Sequence, residues 1–92
     1  MQYKRASIKV FGRVQGVGFR YYTEKLATSL GITGYVKNLP DGSVYIVAEG
    51  DSFNLDLFIE RVKRGPSLAH VDNIIVDYDD YKNEFNLFEI RF

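Results

Sequence analysis

The chain has 92 residues, no cysteine and a formal net charge of zero, twelve basic side chains being balanced by twelve acidic ones. That size carries one compact core, the charge balance argues against general polyanion binding, and the missing thiols exclude a disulfide framework, a cysteine nucleophile and cysteine metal ligands. No apolar run approaches the roughly 20 residues needed to span a bilayer, and MQYKRASIKV at the N-terminus has no signal-peptide core, so the expectation is one cytoplasmic domain over residues 1–92.

Ser7 to Gly12 alternates, with Ile8 and Val10 on one face, and predicts a strand. A glycine-rich loop, GRVQGVGFR from Gly12 to Arg20, follows it. From Phe19 the period changes: Phe19, Tyr22, Leu26, Ala27 and Leu30 fall at helical spacing, and Gly31 supplies a stop. TGYVKNL, Thr33 to Leu39, predicts a second strand, and Pro40 to Gly42 is turn chemistry. Val44, Ile46 and Ala48 alternate in a third strand, which forms a hairpin with the second.

Asp51 or Ser52 is placed to cap a second helix. Its apolar face is Leu55, Phe58, Ile59 and Val62, and Gly65-Pro66 ends it. A fourth strand runs from Val71 to Tyr78, YDDYKNE is a polar loop, and LFEIRF closes the chain as a short fifth strand. The order β-α-β-β-α-β with a terminal β predicts an α+β, ferredoxin-like βαββαβ sandwich. Two one-sided helices lie on one face of a mostly antiparallel sheet of four to five strands. In that layout the first and second strands are parallel with the third between them, which brings the glycine loop and Asn38 to the same edge.

The loop opens a helix, whose first N–H groups have no internal partner and carry about half a positive charge. Gly16 and Gly18 allow successive amides to turn toward a common centre, a nest suited to an anion of phosphate size. Arg20, in the first turn, opposes the helix dipole unless an anion lies between it and the amides. A tight strand-to-helix turn would use the same two glycines, and the residues alone leave both readings open. Tyr21 occupies the position where a dinucleotide fingerprint needs a small residue, and the Gly-Lys-Ser/Thr ending of a nucleotide-binding loop is missing.

Asn38 carries both donor and acceptor capacity, enough to hold a water beside a substrate or to stabilise the approach to the turn. Lys37 falls on the opposite face by the period of two. His70, the single histidine, reads as surface or strand edge, and no His/Asp/Glu cluster has metal-ligand spacing.

VFGRVQGVGFR, Val10 to Arg20, and GYVKNLPDGSVYIVAEG, Gly34 to Gly50, resemble the two signatures of the acylphosphatase family. GPSLAHV, Gly65 to Val71, is similar to the family's segment after its second helix. The resemblance covers nearly the whole chain and suggests a small stand-alone member. It implies hydrolysis of acyl phosphates, carboxyl–phosphate mixed anhydrides, to carboxylate and inorganic phosphate, by water attack on phosphorus and with no metal or other cofactor. It assigns Arg20 and Asn38 as catalytic, for phosphate binding and water orientation respectively. Gln15, Gly16, Val17, Gly18 and Phe19 become the phosphate-binding loop, acting through backbone N–H groups. The implied partners are a small acyl phosphate and inorganic phosphate as product and inhibitor, with no nucleic acid and no membrane, the chain acting as a monomer.

Two other classes compete on the residues. A binding module would hold a phosphorylated metabolite in the same loop without turning it over. An RNA-recognition domain shares the topology, and Phe11, Tyr35 and Tyr45 offer aromatic area, but the neutral charge and the missing ribonucleoprotein run argue against it. Larger proteins that carry such a domain suggest a carbamoyl-phosphate-cleaving variant of the enzyme reading.

Overall fold

A computed structural model of the chain describes residues 2–92. The elements run β1 (Tyr3–Arg13), α1 (Phe19–Ser29), β2 (Thr33–Asn38), β3 (Val44–Asp51), α2 (Ser52–Arg64), β4 (His70–Asp80) and β5 (Phe88–Arg91). The strands form one sheet in the order β4-β1-β3-β2-β5. β3 lies between β1 and β2 and is antiparallel to both, so β1 and β2 are parallel to each other, and β5 pairs with β2 in parallel. This is the ferredoxin-like α+β arrangement, with five strands.

Alternation along the strands builds the core. Ala6, Ile8 and Val10 of β1, Val36 of β2, and Val44, Ile46 and Ala48 of β3 are buried on one face of the sheet. Cross-strand register sets Ile8 and Val36 opposite Ile46, and Val10 opposite Val44. Both helices close over this face. α2 contributes Leu55, Phe58, Ile59 and Val62, the residues its 3.6-residue period selects. Asp51 caps it, its carboxylate accepting the Asn54 N–H at 3.0 Å. α1 contributes Phe19, Thr23 and Ala27. Thr23 escapes the apolar pattern because its hydroxyl is satisfied locally, donating to the Phe19 carbonyl at 2.8 Å. Phe58 meets Phe88 of β5 edge-on, with centroids 6.0 Å apart, which ties α2 to the last strand.

Two strands exceed their predicted bounds for one reason. β1 begins at Tyr3 instead of Ser7, and β4 continues to Asp80, taking in the start of YDDYKNE. Register places Lys4 opposite Asp80 and Arg5 opposite Asp79. The register sets a basic stretch beside an acidic one, a complementarity of charge that neither stretch signals alone, while the Arg5 guanidinium itself pairs with Glu49 and Glu84.

The open face of the sheet holds a buried acid. Glu49 on β3 is 1% exposed. Its carboxylate accepts the N–H groups of Lys82 at 2.7 Å and Glu84 at 3.0 Å, and pairs with Arg5 at 3.3 Å. Arg5 also reaches Glu84 at 2.8 Å. Burial opposes the charge on Arg5, but its hydrogen bonds to Glu49 and Glu84 outweigh that and raise its pKa. One carboxylate therefore fastens the connection between β4 and β5 to the middle of the sheet. Glu49→Ala leaves two amides and one cation short of an acceptor. It should lower the free energy of unfolding in urea by about 3 kcal/mol; a loss below about 1 kcal/mol would show that the connection is held by other contacts.

Candidate active site

β1 delivers the chain into the loop, and α1 carries it away. The loop is pinned at both ends by apolar side chains, Val14 being 1% exposed and Phe19 2%. The Phe19 ring lies against Gly65 at the end of α2, where a Cβ would sit 2.9 Å from it. Between these pins Gly16 and Gly18 have φ of 74° and 79°, in the left-handed region. A Cβ at either would meet nothing within 4 Å. The glycines thus serve backbone shape, not close approach.

That shape leaves donors free. Gly18 is the N-cap of α1 but makes no side-chain cap, and the first turn has no acidic residue. The first helical bond runs from the Tyr22 N–H to the Gly18 carbonyl at 3.0 Å. From Gln15 to Tyr21, no backbone N–H meets an acceptor among the described residues. Helix dipole and amide nest add at this spot, giving a positive potential with nothing acidic in the helix turn to offset it.

A cavity of about 200 Å³ opens here, lined by Gly16, Gly18, Arg20 and Tyr21 on one side and by Asn38, Ile90 and Phe92 on the other. Arg20 has no carboxylate partner among the described residues. Its guanidinium donates to the Arg91 carbonyl at 3.5 Å and stands 4.7 Å from the centroid of the Phe92 ring. The cation is therefore positioned without being neutralised.

Asn38 is the last residue of β2, opposite Val44. The period of two puts it on the same face as Val36, beneath α1, and puts Lys37 on the other face, 6.0 Å from the Tyr35 ring. Asn38 Oδ1 is buried and has no hydrogen-bond partner among the described residues. An orphaned buried acceptor costs about 1–3 kcal/mol and calls for a ligand or an ordered water.

Gly16, Gly18 and Phe19 of the loop line one cavity together with Arg20 and Asn38, whereas Gln15 and Val17 are not part of that lining. Gln15 does more than its backbone implied. Its side-chain amide donates to the carbonyls of both Leu39 and Ser43, each at 2.9 Å. This clamp spans the turn after Asn38 and locks the glycine loop to the strand that bears the asparagine. The signal was a lone glutamine among glycines, and its partners lie more than 20 positions away in the chain. Tyr21 is exposed, and Tyr22 is half-buried with its hydroxyl on the Arg61 carbonyl at 2.8 Å. His70 is exposed at the start of β4, beside Asp72 at 3.1 Å. Among the described residues no group of three His, Cys, Asp or Glu side chains could hold a metal ion.

The sequence pattern of the acylphosphatase family matches residues 6–90. The chain belongs to the acylphosphatase family. An acylphosphatase of Archaeoglobus fulgidus is 52% identical over 85 residues, covering 92% of this chain and 94% of that protein. One from Lactobacillus gasseri is 48% identical over 88 residues, with 95% and 97% covered. The crystal structure of acylphosphatase from Bacillus subtilis superposes with a TM-score of 0.94 at 39% identity, over 97% of this chain and 99% of that one. These acylphosphatase relatives match over more than nine-tenths of both chains, and the family pattern over residues 6–90 takes in both the glycine loop and the asparagine strand.

The turn beyond Asn38 has its own electrostatics. Asp41 accepts from the Ser43 hydroxyl and, at 2.9 Å, from the Ser43 N–H, and pairs with Lys9 at 3.0 Å. These hydrogen bonds from Ser43, with Lys9 behind them, hold its carboxyl down to about 2 from the ordinary 3.8. A depressed carboxylate stabilises the fold fully above its ordinary pKa, and that contribution is lost as pH falls through the folded value. Asp41→Asn should therefore lower the melting temperature at neutral pH, and the gap to the wild type should close between pH 3.8 and about 2. Thermal unfolding over a pH series checks this, and a constant gap down to pH 2 contradicts it.

Proposed function

We propose that this acylphosphatase hydrolyses acyl phosphates with the amide cup at residues 15–19, the guanidinium of Arg20 and the side chain of Asn38 as its working parts. The observation that carries the reading is the buried, unpartnered Oδ1 of Asn38, a residue that lines the same cavity as Gly16, Gly18 and the unpaired Arg20. The amides and Arg20 hold the phosphoryl oxygens. Asn38 Oδ1 accepts a hydrogen bond from a water molecule and aims its oxygen at phosphorus. The water oxygen forms the new bond to phosphorus as the bond to the acyl oxygen breaks, and the carboxylate leaves with the electron pair. The water's proton passes to a phosphoryl oxygen, giving carboxylate and dihydrogen phosphate.

This chemistry suits the residues present. A carboxylate is a good leaving group and needs no strong acid behind it. Catalysis of phosphoryl transfer is then chiefly positioning and charge stabilisation, which preorganised amides and one guanidinium provide. The charge spread over the equatorial oxygens in the transition state is met by donors that are already oriented. Inorganic phosphate, the product, competes for the same cup. One chain supplies every group, so the site is complete in a monomeric single domain, for which the reading is a cytoplasmic enzyme; no helix among the described residues is long and apolar enough to cross a membrane.

Two variants separate the roles. Arg20→Ala should cost both phosphate affinity and turnover, with kcat/KM for benzoyl phosphate falling about 10²-fold or more, as for other preorganised charge-stabilising groups. Activity near the wild-type level removes Arg20 from the mechanism. Asn38→Ala should leave the inhibition constant of inorganic phosphate nearly unchanged while kcat drops by a similar factor. Equal losses in phosphate binding and turnover would make the asparagine a structural residue instead.

A further inference from the structure

α1 has two flanks at its N-terminus, and they differ. Arg20 and Glu24 face β5, where Arg20 meets the Arg91 carbonyl and Glu24 borders the same cleft as Phe88. Tyr22, Leu26 and Ser29 fall on the other side, toward α2, where the Tyr22 hydroxyl bonds the Arg61 carbonyl. A furrow of about 550 Å³ runs along this second flank, between Tyr22, Leu26 and Pro66. Gly18 and Tyr21 line both the furrow and the catalytic cavity, so the two spaces are neighbours at the start of the helix. Asn38 borders only the cavity.

We propose that this furrow receives the acyl group of the substrate, and that Lys25 and Arg61 on its walls favour acyl groups ending in a carboxylate. The inference rests on Asn38 as the water-holding residue. Displacement at phosphorus places nucleophile and leaving group roughly in line. With phosphorus at the amide cup and water on the Asn38 side, the acyl oxygen departs on the opposite side, across Gly18 and Tyr21 toward α2. The furrow meets it with an aromatic ring, a leucine and a proline. Its lining contains two cations and no carboxylate. Neither Lys25 nor Arg61 has an ion-pair partner among the described residues, and the Lys25 ammonium stands 5.3 Å from the centroid of the Tyr21 ring. The Arg61 side chain is exposed while its own carbonyl is taken by Tyr22, so the floor is fixed and the guanidinium is free.

The test compares kcat/KM for acetyl, benzoyl and 4-carboxybenzoyl phosphate in the wild type, Lys25→Ala, Arg61→Ala and the double variant, with inorganic phosphate inhibition measured in each. The wild type should prefer 4-carboxybenzoyl over benzoyl phosphate, and raised salt should narrow the preference. Each cation removed should erode that preference by up to about fivefold, the upper range for an exposed ion pair. Acetyl phosphate, too short to reach the furrow, and the inhibition constant of inorganic phosphate should move by less than about twofold, well inside that range. No preference in the wild type, no loss in the variants, or an equal loss on all three substrates each overturns the subsite. A failure of the Asn38 assignment shows separately, as wild-type turnover of acetyl phosphate by Asn38→Ala.

Discussion

A row of backbone amides with no acceptor, opening α1 between Gly16 and Tyr21, is the constraint around which the rest of the molecule is arranged. Left to itself such a loop would close on its own carbonyls or on a capping side chain. It is held open by its anchors: Val14 and Phe19 are sunk in the core on either side, and two left-handed glycines turn the chain between them. Arg20 follows at a position where the helix dipole disfavours a cation. The chain tolerates that local disagreement because an anion in the cup would satisfy both partners at once, and local conflict of this kind is expected at functional sites.

The second half of the site comes from the sheet. β3 separates β1 from β2 and runs antiparallel to both, so the C-terminal ends of β1 and β2 lie at the same edge. That topology alone brings Asn38 near the glycine loop, and the Gln15 clamp on the Leu39 and Ser43 carbonyls sets the distance. Rigidity here matters more than strength. A group that aims a water must be fixed before the reaction starts, since effective concentration depends on alignment to a fraction of an ångström. Glu49 plays a comparable part at the other end of the sheet, where it fastens the connection into β5. β5 in turn carries Ile90 to the cavity and Arg91 and Phe92 to the Arg20 guanidinium.

The sequence was most legible where function requires unusual backbone. Glycines at 16 and 18, an arginine two residues beyond, and an asparagine ending a strand all break local preference, and each lies in the cavity lining. It was least legible where one side chain reaches far along the chain. Gln15 and Glu49 find their partners 24 to 44 residues away. Tyr22 grips the Arg61 carbonyl across the helix pair, and nothing in FRYYTEK tells the half-buried tyrosine from its exposed neighbour. The extra length of β1 and β4 escaped for a similar reason, since a charged stretch becomes a strand only when its opposite number is beside it.

Periodicity and turn chemistry by themselves determined the order of elements, the inward faces of strands and of α2, and the residue types able to bind an anion. These follow from backbone geometry, which acts between near neighbours. Tertiary structure decided which of those residues share a cavity, that the oxygen of Asn38 is buried without a partner, and that α1 has a catalytic flank and a furrowed one. Those facts depend on strand order and helix packing, and therefore on contacts between segments that carry no record of one another in the linear chain.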